Sequence, residues 1–244
     1  MSRLDQALVE RGLCASREKA KRLILAGQVR VNGHRARKPS DPVKAGDELI
    51  LDAPEKFVSR GGHKLEHALE QFRLNVAGFT AIDLGASTGG FTDCLLQRGA
   101  AKVFAVDVGQ GQFAWKLRQD PRVVVMEKTN ARFLKPENFP VPADLIVADC
   151  SFISLKKILP PAGPLLKPDG TIVALIKPQF EAGRAEADKG RGVITDAAVH
   201  QRVLAGLKEF VSAQAGLRWR DVVESPLLGP AGNKEFLALI EKER

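Results

Sequence analysis

Four polar residues stand where apolar, strand-like runs give way to turns: Asp83 in AIDLGASTGGF, Asp107 in FAVDVG, Asp149 in LIVADCSF and Lys177 in IVALIKPQF. Open α/β sheets bind ligands outside the carboxyl ends of their strands, so these positions are candidates for one site. After Asp83 come Gly85, Ala86, Ser87, Gly89 and Gly90, small residues that let backbone approach a ligand and aim the N–H groups of the next helix at it. The dinucleotide spacing G-x-G-x-x-G is not met, because Ser87 replaces the second glycine. A ligand with an amino-acid end and a nucleoside end, such as S-adenosylmethionine, needs no pyrophosphate cradle and suits this turn better. Asp107 is then placed to grip ribose hydroxyls, and Asn130, after the third strand, lies near the base. The plainer alternatives are a tight turn without ligand and an acid that caps a helix.

Lys177 follows a run of Ile, Val, Ala and Leu, so it is expected to be partly buried and to need a carboxylate partner or lose its proton. Such a group can act as an acid or base on a hydroxyl. Two rival chemistries leave different marks. Attack on an exocyclic base amine favours an N/D-P-P-Y/F turn after the fourth strand, and DCSF has neither proline. Carbon-5 attack on cytosine needs a thiolate, and Cys150, one position past Asp149, is expected to point elsewhere and pack as a small apolar residue.

The elements that must hold these residues alternate. Strands are expected near 79–84, 102–107, 122–127, 144–149, 170–177 and 217–224, with helices near 90–98, 111–118, 154–166 and 195–215. A helix from His63 to Phe72 precedes them, with Leu65, Ala68, Leu69 and Phe72 as its buried stripe. This order predicts an α/β fold with a mostly parallel sheet and helices on both faces. A last strand, Glu235 to Ile240, follows without a crossover helix and is expected as an antiparallel edge strand. The segment EAGRAEADKGRG (181–192) lacks periodicity and reads as a loop able to close over substrate.

The first 40 residues differ in kind. They carry ten Lys and Arg against three acids, while the other 204 residues hold 27 bases and 26 acids. A basic head on a near-neutral body points to a polyanion-binding module. Helices Leu4–Leu13 and Arg17 to about Ala26 (N-cap Ser16, stopped by Gly27), a strand at Val29–Val31, the turn Asn32-Gly33 and a strand from Gly46 to Leu51 make a small α+β domain. Arg17 and Lys21 form a charged row on the second helix. The three cysteines, 14, 94 and 150, make neither a metal pair nor a disulfide framework, which fits a reducing cytoplasm. No apolar run approaches the roughly 18–20 residues needed to cross a bilayer.

The stretch SREKAKRLILAGQVRVNG (16–33) resembles the RNA-binding domain first recognised in small-subunit ribosomal protein S-four. That resemblance implies binding of structured RNA through phosphate contacts by Arg3, Arg17, Lys21, Arg22 and Lys38. The remainder, with SRGGHKLEHAL, DLGASTGGFTDCLLQRGA, DLIVADCSFISL, ALIKPQFEAG and GPAGNKEFL, is similar to the TlyA-type, hemolysin-A-like ribosomal RNA 2′-O-methyltransferases, relatives of the FtsJ-type enzymes. The implied layout is a small α+β RNA-binding domain over 1–55, a linker around 53–56 and an S-adenosylmethionine-dependent methyltransferase domain over 60–244, with the α/β Rossmann-like class I methyltransferase sheet. The implied catalytic tetrad is Lys64, Asp149, Lys177 and Glu235, with no metal. The implied substrate is a cytidine ribose in ribosomal RNA or a ribosomal subunit. A non-catalytic RNA-binding assembly factor and a membrane-active hemolysin are the alternatives, the latter lacking a spanning segment and a long basic amphipathic helix.

Overall fold

A computed structural model describes residues 1–52, 55–183, 186, 188, 190–214 and 216–243. The linker residues 53 and 54, and residues 184, 185, 187 and 189 of the expected loop, lie outside that description. The chain divides into two compact units, Met1–Lys56 and Phe57–Arg244.

The smaller unit packs α1 (Leu4–Glu10) and α2 (Arg17–Leu25) over short strands. Ser16 caps α2 by accepting a hydrogen bond from the Lys19 amide at 3.2 Å, as its place before the charged row leads one to expect. Strand β2 (Val29–Val31) pairs antiparallel with β3 (His34–Arg35) across the Asn32-Gly33 turn and with β5 (Leu49–Leu51) on its other side. Both turn residues have positive φ, which this tight hairpin requires. Two further strands, β1 (Ser2–Arg3) and β4 (Pro42–Val43), pair with each other. Leu4, Leu8, Ala20, Ile24 and Val29 form the core.

The larger unit opens with α3 (Gly61–Gln71) and continues through β6 (Thr80–Leu84), α4 (Gly90–Gln97), β7 (Lys102–Val106), α5 (Trp115–Arg118), β8 (Val123–Met126) and β9 (Ala143–Ala148). After these come α6 (Leu159–Ala162), β10 (Leu166–Ile176), α7 (Pro178–Glu181), α8 (Ala197–Ser212), β11 (Leu217–Glu224) and β12 (Phe236–Lys242). Seven of the strands form one sheet in the order β11-β12-β10-β9-β6-β7-β8. The expected helix over 154–166 is broken into short turns, because Pro160, Pro161 and Pro164 remove backbone donors.

Alternation within the central strands divides two cores between the faces. Ile172, Ala174 and Ile176 of β10 join α8 residues Val203, Leu207 and Val211 on one face. Val173 and Leu175 join Leu65 and Leu69 of α3 and Leu95 of α4 on the other. Strands covered on both faces read as unbroken apolar runs, which is why β9 and β10 stand out in the sequence. The last strand is antiparallel to both neighbours, as its short connection implies. It lies one place inside the edge, inserted between β10 and β11, so β11 is the edge strand and runs parallel to β10.

Candidate active site

The carboxyl ends of β6, β9 and β10 and the N-terminal turn of α3 meet around one cavity of about 680 Å³. That lies within the usual range for a small-molecule pocket. Its floor is the turn after β6. The amides of Gly85 and Ala86 both donate to the Val106 carbonyl, at 2.9 and 3.1 Å. Gly85 has φ +84°, and a Cβ there would lie 2.7 Å from the Asp149 carbonyl oxygen. Only glycine lets the loops after β6 and β9 approach this closely.

Gly85, Ala86, Ser87 and Gly90 line the cavity, whereas Asp83, Gly89, Asp107 and Asn130 do not. Each of these four has a physical reason for standing back. Asp83 is fully buried beneath the turn, where its Oδ2 accepts from the Thr92 amide (3.0 Å) and hydroxyl (2.7 Å). Burial without a cation pushes its carboxyl up to about 7, with Asp149 and Asp107 adding to the rise. A Cβ on Gly89 would meet Leu117 at 2.5 Å and Phe113 at 2.9 Å, so the space it leaves is filled by protein rather than ligand. Asp107 braces the turn: its Oδ2 accepts from the Ser87 amide at 2.7 Å, and its Oδ1 from the Gly109 amide at 2.6 Å. Asn130 accepts from the Arg132 amide and caps a short helical turn.

Lys64, Asp149, Lys177 and Glu235 all line the cavity. They form two ion pairs. Lys64 and Glu235, both almost wholly buried, bond directly to each other. Lys177 Nζ lies 2.6 Å from Asp149 Oδ1 and donates to Ser151 Oγ at 2.8 Å. Lys177 is largely buried, with 11 % of its side chain exposed, so the carboxylate expected of it is present. Cys150 turns away and donates to the Leu84 carbonyl at 3.5 Å. Burial, reinforced by Asp149, pushes its thiol up to about 12, which leaves no useful thiolate at neutral pH.

Several lining residues escape a reading of residue types alone. Ser59 and Arg60 precede α3, Gln179 and Phe180 follow Lys177, and Asn233 stands two residues before Glu235. Phe152 lies on the rim, 91 % exposed and with φ +61°. No feature of residue type marks that loop; the bulky residue held in the left-handed region shows only in the structure.

On the smaller unit, Arg3 and Arg17 reach one carboxylate. Arg3 Nε lies 3.0 Å from Asp5 Oδ1, and an Arg17 guanidinium nitrogen lies 3.1 Å from Asp5 Oδ2. Asp5 is fully buried, while both arginines remain about half exposed. The Arg3 hydrogen bond, followed by that of Arg17, holds the Asp5 carboxyl below its ordinary range despite burial. Lys21, Arg22 and Lys38 are exposed. Among the described residues no helix is long and apolar enough to cross a membrane, and no group of three His, Cys, Asp or Glu could hold a metal ion.

A seven-stranded sheet in this order, with a glycine turn after its central first strand and one antiparallel strand beside the last crossover, defines a Rossmann-like methyltransferase. The O-methyltransferase TomG of Streptomyces achromogenes has the same fold, with a TM-score of 0.52 over 78 % of this chain and 83 % of that one at 17 % identity. Residues 57–242 match the FtsJ-like methyltransferase model and residues 2–49 the S4 domain model, and the chain belongs to the FtsJ-like methyltransferase family. It is 49 % identical to the 16S/23S rRNA (cytidine-2′-O)-methyltransferase TlyA of Mycobacterium tuberculosis, over 96 % of this chain and 88 % of that protein. It is 42 % identical to Hemolysin A of Brachyspira hyodysenteriae, over 97 % and 98 %. A solved structure from Streptococcus thermophilus that carries a hemolysin name superposes with a TM-score of 0.76, at 45 % identity over 99 % of this chain and 88 % of that one.

Proposed function

We propose that this methyltransferase modifies a ribose 2′-hydroxyl of ribosomal RNA in the cytoplasm, a cytidine by its likeness to the mycobacterial relative, with S-adenosylmethionine as methyl donor. The observation that carries the reading is the gathering of Lys64, Asp149, Lys177 and Glu235 around one cavity floored by a glycine turn. The fit to the cofactor rests on that turn, where Gly85, Ala86, Ser87 and Gly90 line the cavity with backbone and small side chains. When bound there, the cofactor supplies an activated methyl group.

Everything else falls to the chain's own residues. The Gly85–Gly90 turn would hold the cofactor, and Asp107 would keep the turn in shape through the Ser87 amide. Lys177 is oriented by Asp149 and Ser151, and as the neutral amine, once its own proton has been released to solvent, it takes the hydroxyl proton as the oxygen attacks. The Lys64–Glu235 pair fixes charge beside it without exposing either group to water. Phe152 offers an open ring face on which a base can stack. On the smaller unit, Arg3, Arg17, Lys21, Arg22 and Lys38 meet RNA phosphates.

The test is methyl transfer to ribosomal RNA by Lys177→Ala, which should fall by about 10²-fold or more while cofactor affinity and folding persist. Lys177→Arg should not restore it, because a guanidinium keeps its proton. RNA with 2′-deoxyribose at the target nucleotide should bind and accept no methyl group. Methylation of that RNA at a normal rate would overturn the reading, and a base would then be the target.

A further inference from the structure

The loop after β9 carries Asp149, and the segment after β10 carries Lys177, so the catalytic geometry depends on how these two stretches are held together. They touch along a row of contacts. At one end Lys177 meets Asp149 and Ser151. In the middle the Phe152 and Phe180 rings lie 5.1 Å apart between centroids. At the far end the Glu181 carboxylate accepts from Ser154 Oγ at 2.6 Å and from the Leu155 amide at 2.7 Å.

Lys177 and Glu181 are four residues apart, at the N-cap and last residue of α7, so both reach the same loop from one side of one turn of helix. Between their grips sits Phe152, with φ +61°. A bulky residue stays in that conformation only where its surroundings over-determine it. Glu181 is itself held at a cost: burial pushes its carboxyl above the ordinary range, and only the Ser154 and Leu155 donors, with Lys156, oppose the rise. An apolar residue could fill this half-buried position without that penalty, so the carboxylate is matched to its two donors.

We propose that Glu181 is a positioning residue for the methyl transfer: it clamps the 149–155 loop to α7 so that Asp149 and Ser151 hold Lys177 in register. This rests on the 2′-hydroxyl reading above. A loop released at Ser154 and Leu155 is still tied at Lys177, so the fold survives while the angle of the Lys177 amine drifts. Misplacement on the ångström scale is enough to cost about ten- to a hundred-fold in rate.

The experiment compares single-turnover and steady-state methylation of ribosomal RNA by the full-length protein and its Glu181→Ala, Glu181→Gln and Ser154→Ala variants, with cofactor affinity by calorimetry and melting in parallel. Glu181→Ala should lower kcat by about ten-fold or more with KM for RNA and cofactor affinity within about three-fold. Glu181→Gln, which keeps an acceptor oxygen, should recover part of the loss. Ser154→Ala should have a smaller effect that does not add to Glu181→Ala, since both break one clamp. Unchanged kcat in Glu181→Ala, a loss confined to KM, or full additivity of the two changes would overturn the proposal. Absence of methyl transfer by the unaltered protein in the same assay would instead overturn the functional reading beneath it.

Discussion

Each unit buries one carboxylate completely, and the two behave oppositely. Asp5 sits under two guanidiniums, and its carboxyl is held below the ordinary range. Among the described residues Asp83 has only the neutral Thr92 donors, and its carboxyl rises to about 7. Both are closed to solvent, but Asp5 lies shallowly beneath its two arginines while Asp83 lies deep in the sheet, so depth and partner together set the opposite directions. In the smaller unit the buried charge organises cations that face outward. In the larger unit it lies beneath the turn that lines the cavity, whose Gly85, Ala86 and Ser87 amides bond to the Val106 carbonyl and to Asp107.

The largest expected consequence is a pair of opposite pH dependences. For Asp83 the native state keeps its proton to about pH 7 while the unfolded chain releases it near 3.8. The larger unit should therefore lose stability as pH rises from about 4 to 7, by about 4 kcal/mol, and level off above. Both tryptophans, Trp115 and Trp219, lie in this unit, so their fluorescence during urea unfolding reports it alone. Asp83→Asn should flatten that slope; a slope equal to that of the unaltered protein would break the comparison. For Asp5 the sign reverses. Its contribution is present above the ordinary carboxylate range and lost as pH falls through the depressed value, and amide exchange in α1 and α2 should show it.

A smaller effect is expected in RNA binding. Arg17 is fixed by Asp5 with its outer face exposed, which suits a phosphate contact. Arg17→Gln with Lys21→Gln should weaken binding and reduce the slope of log K against log salt by about one to two units. Neutral replacements are the right ones, since a glutamate at 17 would face Asp5 and disturb the fold. An unchanged salt slope would move the RNA footprint elsewhere. Smallest of all, Cys150→Ser should leave methyl transfer within about two-fold, because the thiol at about 12 is no nucleophile. A large loss there would restore the thiolate chemistry.

Asp149 and Lys177 could be found in the sequence because fully covered strands leave unbroken apolar runs, and the residue that ends such a run marks the ligand side of the sheet. Lys64 and Glu235 could not be found that way. Lys64 sits within a helix whose stripe of Leu65, Ala68 and Leu69 speaks only of packing, and its partner lies 171 positions away. Those two came from family resemblance. Gly89 shows the converse: a small residue was visible, but whether ligand or Phe113 and Leu117 fill the space beside it depends on tertiary contacts. The antiparallel sense of β12 followed from its short connection, whereas its insertion beside β10 depends on pairing between distant strands. Strands β1 and β4 have two residues each, too few for any alternation to register.

The insertion of β12 also sets an order in time. Glu235 immediately precedes a strand that must thread between β10 and β11, both made earlier in synthesis. A nascent chain can therefore build the glycine turn and bring Asp149 to Lys177 before the Lys64 amine has its carboxylate. Until β12 docks, that amine is a charge in an unfinished wall, so the Lys64–Glu235 pair closes only as β12 is laid in.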